Sequence, residues 1–147
     1  MSVSFLELSK VLSRGSAVIV YPNGTLVFDT IVSSDGLGTQ IDYDTSTGII
    51  TFLEAGYYYI DWFVAPKHGL TTDGSNWAIQ TSISQQSIIG SSHVKVSVTT
   101  GFALLNAAAN ETVRLVNVSD GPIYLSHAVQ AQAGLIVYSI AVMNLSP

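Results

Sequence analysis

Along most of this chain hydrophobic and polar residues alternate with a period of two, the spacing of a strand whose side chains point to opposite faces. Residues 17–21 form a β-branched run that stops at the turn Pro22-Asn23-Gly24. Residues 25–32 form the next strand, with Leu26 and Phe28 on one side, and 33–38 form a glycine-rich loop. Residues 40–43 open the stretch that reaches Val64, and 66–75 read as a polar loop. Residues 77–84 alternate cleanly, 87–91 read as a turn around Gly90, and 93–99 carry Val94, Val96 and Val98 on one face. Residues 101–106 and 112–118 are strands joined through 107–110, then come a short strand at 123–125 and a last one at 135–143. This makes about ten short strands at near-regular spacing, the mark of an all-β sandwich or barrel. Only residues 1–15 have helix-like spacing, at Phe5, Leu6, Leu8, Val11 and Leu12. That segment reads as a short helix, a first strand or a tail, preceding one domain over 16–147.

The run 57–64 breaks the rule the others follow. One face carries Tyr58, Ile60, Trp62 and Val64; the other carries Tyr57, Tyr59, Asp61 and Phe63. A sheet with one wet face alternates apolar and polar residues, and this strand has no polar face. A small sandwich covers one side from within, so the second side calls for another copy of the chain. The last strand, 135–143, is apolar on both faces as well.

Composition agrees. The 147 residues are 48% hydrophobic and only 10% charged, where an ordinary domain has about 25% charged residues. Net charge is −5, and the five Lys and Arg are scattered, so no basic patch could track a phosphate backbone and no nucleic-acid partner is expected. Cysteine is absent, which removes disulfides and thiolate metal sites and leaves the compartment open. No apolar run reaches the ~20 residues that span a bilayer, and the first residues lack the pattern of a signal peptide.

Candidate chemistry is sparse. His68, His93 and His127 fall on different elements, and there is no Gly-x-Ser-x-Gly, no His-Glu-x-x-His and no phosphate-cradling loop. The reading is non-enzymatic, without a cofactor. Asp42 and Asp44 flank Tyr43 beside a Thr-rich loop; they could hold calcium through oxygen ligands or cap the turn. Asn23-Gly24-Thr25, Asn110-Glu111-Thr112 and Asn117-Val118-Ser119 have the form of glycosylation acceptors. Trp77 is the one candidate for an exposed sugar-stacking aromatic.

Tyr43, Ile50, Gly56, Tyr58, Ile60 and Trp62 fall at spacings that resemble the signature of the complement-component-1q/tumour-necrosis-factor (TNF) family. Residues 102–118 resemble that family's paired strands, and Ala133-Gly134-Leu135-Ile136-Val137 its closing strand. The resemblance implies an antiparallel jelly-roll β-sandwich assembling as a homotrimer, with strands 57–64, 112–118 and 135–143 in the inner sheet around a three-fold axis. It assigns Tyr57, Tyr59 and Phe63, with Ile136 and Tyr138, to the trimer interface, and Tyr58, Ile60 and Trp62 to the subunit core. Asp61 then faces partner subunits, where a buried carboxylate needs tyrosine hydroxyls, a Lys or Arg of the next subunit, or a shared ion. Gly101-Phe102-Ala103-Leu104-Leu105-Asn106 and the Ser/Thr-rich texture resemble the C-terminal domains of bacterial collagen-like spore-surface glycoproteins of the BclA type. That likeness implies a head domain at a cell or spore surface contacting a protein or glycan of a host or environmental surface. A phage tail-fibre tip and a carbohydrate-binding module are the alternatives.

Overall fold

Strand after strand, the period-two pattern becomes a sandwich of two antiparallel sheets. The computed structural model describes residues 4–11, 18–69, 71, 74–93, 97–126 and 128–141, with the side chains of 68 and 69 left out. Thirteen strands lie among the described residues: β1 Phe5–Val11, β2 Ile19–Val20, β3 Thr30–Asp35, β4 Ile41–Tyr43, β5 Ile50–Phe52, β6 Gly56–Val64, β7 Pro66–Gly69, β8 Ser75–Thr81, β9 Ser87–Ser92, β10 Thr99–Ala107, β11 Glu111–Asn117, β12 Ile123–Leu125 and β13 Ala131–Ile140. The front sheet has the order β10-β6-β13-β1-β3, the second sheet β4-β5-β11-β8-β9, and β2-β12-β7 form a small third sheet.

The core lies between the two large sheets. β6 contributes Tyr58, Ile60, Trp62 and Val64, β1 Leu6 and Leu8, and β13 Leu135 and Val137. Facing them are Ile41, Phe52, Trp77, Ile79, Val113 and Leu115 of the second sheet. Phe52 and Tyr58 stack across the gap with ring centroids 4.2 Å apart, a contact worth about 0.5–1.5 kcal/mol beyond the area it buries.

Three buried polar side chains tie the connections to this core. Tyr43 donates its hydroxyl to the Phe28 carbonyl at 2.7 Å and accepts the Phe28 amide at 2.8 Å, satisfying both backbone groups of an irregular segment. Burial, then the negative charges of Asp29 and Asp44, push that phenol up to about 12. Asn117 is fully buried; its amide nitrogen donates to the carbonyls of Val20 and Gly121 and its oxygen accepts from the Ser119 amide. Glu111, 1% exposed, accepts from the amides of Ile83, Ser84 and Ala108 and from the Ser84 hydroxyl. It clamps the connection before β11 to the turn after β8.

Several expectations need correction. The strand at 112–118 was expected in the inner sheet and in a pair with 101–106. It is β11, and it lies in the second sheet between β5 and β8, while β10 edges the front sheet beside β6. The short link at 107–110 therefore crosses between sheets rather than closing a hairpin. Asn110 takes φ 67° there and Glu111 secures the crossing through its four hydrogen bonds. Residues 87–91 are not a turn but most of β9; Gly90 sits in the strand because a Cβ there would strike the Thr100 carbonyl of β10. The reversal lies earlier, at 82–86, with Gln85 at φ 52°. Part of the expected loop at 66–75 is β7, paired with β12. Of the three readings for residues 1–15, Phe5–Val11 take the strand, hydrogen-bonded between β13 and β3. Val94 and Val96, expected in a strand at 93–99, lie outside the described residues, as do Leu12 and His127.

Burial alone would raise the Glu111 carboxyl, but the hydrogen bonds from Ser84, Ala108 and Ile83 outweigh it and hold its pKa below the ordinary value of 4.5. A depressed folded pKa gives stability that is complete above the unfolded pKa and is lost as pH falls through the folded one. Urea unfolding is expected to show Glu111→Ala destabilised by about 2–4 kcal/mol at neutral pH, because three backbone donors and a hydroxyl lose a charged acceptor. Wild type should approach the variant as pH drops below 4.5; a gap between them that stays constant with pH would contradict the role given to the charge.

Candidate interaction face

The outer surface of the front sheet is where the fold leaves apolar side chains in water. Register lines them up in rows. Leu104 of β10, Tyr59 of β6, Tyr138 of β13 and Phe5 of β1 stand side by side in one row. Phe102, Asp61, Ile136 and Glu7 form the next, and Thr100, Phe63, Gly134 and Ser9 the third. Phe102 is 69% exposed and Leu104 61%, while Tyr57, Ile136 and Tyr138 are each about 40% exposed. Exposure of single apolar residues is ordinary; a continuous sheet face of them is not.

The second sheet shows what a wet face looks like in the same molecule. Its outward positions include Asp42, Thr51, Thr112, Arg114, Gln80 and Ser87, with Ile89 on the edge strand β9 an isolated exposed apolar residue among them. The Arg114 guanidinium donates to Thr25 and Gln80 there. The contrast between the two faces lies in side chains alone, since both sheets are antiparallel and similarly built.

Gly134 shapes the apolar face. The Phe63 ring lies over it, and a Cβ at 134 would come within 2.5 Å of Phe63 Cε1. Beside that ring a groove of about 420 Å³ is lined by Asp61, Phe63, Ile136, Glu7 and Val32 among others. The rings of Tyr59 and Tyr138 lean together with centroids 5.3 Å apart. Desolvation, then the charges of Asp61 and Tyr138, push the Tyr59 phenol upward.

Tyr57, Tyr59, Asp61, Phe63, Ile136 and Tyr138 therefore share one outward face, whereas Tyr58, Ile60 and Trp62 point into the subunit, each at 3% exposure or less. Phe102, Leu104, Phe5 and Val32 belong to the same surface, and the sequence reading did not include them. The signal was present in β10, whose residues 102–105 are all apolar, as on β6.

Other candidates dissolve on inspection. Trp77 is fully buried and its indole N–H donates to the Ser75 hydroxyl at 2.9 Å, so it offers no ring to a sugar. Asp44 accepts from the amide and hydroxyl of Ser46, bonds that lower its pKa and cap the turn before Gly48. Among the described residues no three His, Cys, Asp or Glu side chains gather as a metal set. Asn117 is buried and cannot be a glycosylation acceptor in the folded chain, whereas Asn23 and Asn110 lie exposed at turns. The His68 side chain and His127 are outside the described residues. Among the described residues no helix is long and apolar enough to cross a membrane.

No protein-family model matches the sequence, and no curated protein matches it. Its structure is similar to those of known proteins. The globular domain of zebrafish complement 1qA superposes with a TM-score of 0.69 at 12% identity, over 97% of this chain and 100% of that one. Murine APRIL gives 0.66 at 10% identity over 95% and 100%. The PRD1 vertex protein P5 gives 0.60 at 16% identity over 94% and 97%. The chain thus has the complement-1q/TNF-like jelly-roll fold, and at these identities the likeness extends to the fold alone.

Gly134→Val should lift Phe63 off the sheet, since any side chain at 134 occupies the place of that ring. Urea unfolding is expected to show a loss of about 0.5–1.5 kcal/mol, the cost of forcing a half-exposed ring off its seat rather than of overpacking a core. A neutral effect would mean that Phe63 has no fixed seat.

Proposed function

We propose that this chain is a non-catalytic, trimerising head domain acting in assembly and surface recognition. The observation that carries the reading is the apolar outer face of the front sheet, set against the polar outer face of the second sheet. Covering it with identical copies removes aromatic and branched side chains from water at ~25 cal/mol per Å², and the copies come from one sequence without a second partner. The interface is built on Tyr57, Tyr59, Asp61, Phe63, Ile136 and Tyr138, widened by Phe102 and Leu104. The likeness in fold to complement 1qA and APRIL supports this arrangement.

With the front sheets turned inward, the second sheet and the loops face outward and carry recognition of a protein or glycan surface. An extracellular or cell-surface setting fits the fold. The finer setting, a collagen-like stalk on a bacterial spore, rests on the resemblance of 101–106 and is tested by looking for Gly-X-Y repeats encoded upstream. A second reading, the receptor-binding tip of a phage fibre, draws on the likeness to the PRD1 vertex protein P5; structural phage genes next to this one would favour it. The carbohydrate-module reading loses its one candidate aromatic with the burial of Trp77.

Ile136→Glu tests the assignment of the face. It should reduce the assembled particle to the 15.6 kDa subunit while the far-ultraviolet circular dichroism stays that of a β protein, because an unpaired charge is costly to bury. Ile89→Glu, on the exposed edge strand β9, should leave assembly intact. Equal behaviour of the two variants would overturn the choice of face.

A further inference from the structure

The apolar face carries a charge problem that one subunit does not solve. Asp61 and Glu7 stand in the same row with only Ile136 between them. Asp35 ends the neighbouring row, opposite Phe5. Among the described residues no cation answers them. Lys10, on β1, is held by Asp29 at 2.9 Å, Arg114 lies on the other large sheet and Lys67 on β7 of the small third sheet. Glu7 accepts one long hydrogen bond from the Ser33 hydroxyl at 3.3 Å. Asp61 makes no hydrogen bond or ion pair to any described residue.

The same face holds donors that have no protein partner among the described residues of the subunit. The hydroxyls of Tyr59 and Tyr138 make no hydrogen bond to a described residue, although their rings touch. They stand one row from Asp61. Acceptor and donors thus lie side by side on one surface, exposed and unpaired. Left unpaired under a closed interface, each would cost the full desolvation of a polar group. A surface with both halves of a hydrogen bond can satisfy itself by meeting a copy of itself. The groove beside Asp61, about 420 Å³ and bordered by the Phe63 ring that covers Gly134, has room for an aromatic ring.

Resting on the trimer reading above, we infer that Asp61 is the acceptor for a tyrosine of a neighbouring copy: its carboxylate takes an O–H···O⁻ hydrogen bond from the Tyr59–Tyr138 pair of the next subunit, whose ring enters the groove beside Phe63. The site is incomplete in one subunit and is completed by the next. It needs neither a metal nor a cation. The buried carboxylate then favours correctly aligned assemblies over slipped ones, because only the aligned one supplies the donor.

The test is a double-mutant cycle on dissociation of the full chain, followed by sedimentation over a dilution series. Asp61→Ala, and Tyr138→Phe or Tyr59→Phe, should each raise the concentration of half-dissociation by about tenfold or more, the scale of a hydrogen bond to a charged group. Asp61→Ala combined with the responsive Tyr→Phe change should be no weaker than the worse single variant, because both remove one bond. Asp61→Asn, which keeps shape and an acceptor, should lose less than Asp61→Ala. Circular dichroism of each variant checks folding. If wild type assembles but Asp61→Ala assembles as well or better, Asp61 is a like-charge liability and the inference is overturned. Additive losses in the cycle would overturn it too, and both results would leave the trimer reading standing. A monomeric wild type would overturn both.

Discussion

A strand that is greasy on both sides is the constraint from which the rest of this structure follows. β6 sits second in the front sheet, flanked by β10 and β13. Its inward side chains fill the gap between the sheets, and Tyr58 reaches across to stack on Phe52. Its outward side chains find only partial cover within the subunit. Both neighbours repeat the pattern, with Phe102 and Leu104 on one side and Ile136 and Tyr138 on the other. Three adjacent strands thus present one apolar surface, and the hydrophobic effect acts on them together. The fold's own core and the surface proposed for assembly are two sides of the same strands.

Holding such a face flat requires a firm sandwich beneath it, and the polar interior supplies that firmness. Tyr43, Asn117 and Glu111 each satisfy backbone groups that irregular connections would otherwise leave bare. They act at different places: Tyr43 on the segment at Phe28, Asn117 between Val20 and Gly121, Glu111 between the turn after β8 and the crossing into β11. Glycines serve the same end where backbones approach closely, as at Gly90 against Thr100 and Gly101 against the Trp62 ring. The face is therefore carried by a scaffold whose loops are pinned from inside.

The sequence revealed what is periodic and hid what is long-range. Alternation from Gly56 onward separates Tyr58, Ile60 and Trp62 from Tyr57, Tyr59 and Phe63 because strand side chains obey a strict period of two. It could not say that β11 pairs with β8 and β5 rather than β10, since a short polar link serves a hairpin and a crossing alike. That choice depends on Glu111 meeting Ile83 and Ser84, 28 and 27 residues away. β9 was hidden by its own composition: Ser87, Gly90 and Ser91 look like turn residues, yet Gly90 is there to let β10 approach. Trp77 looked available for a ligand because alternation shows which residues share a face and not which face is wet. Phe102 and Leu104 belong to a run, 102–105, that is apolar on both faces like β6, but nothing in the run itself says that β10 lies beside β6.

Sedimentation equilibrium of the unmodified protein at micromolar concentration tests the central claim most directly. The account predicts a single species of three times the 15.6 kDa subunit mass. A well-folded species at the mass of one subunit, with Tyr57 and Tyr138 open to water, would contradict it.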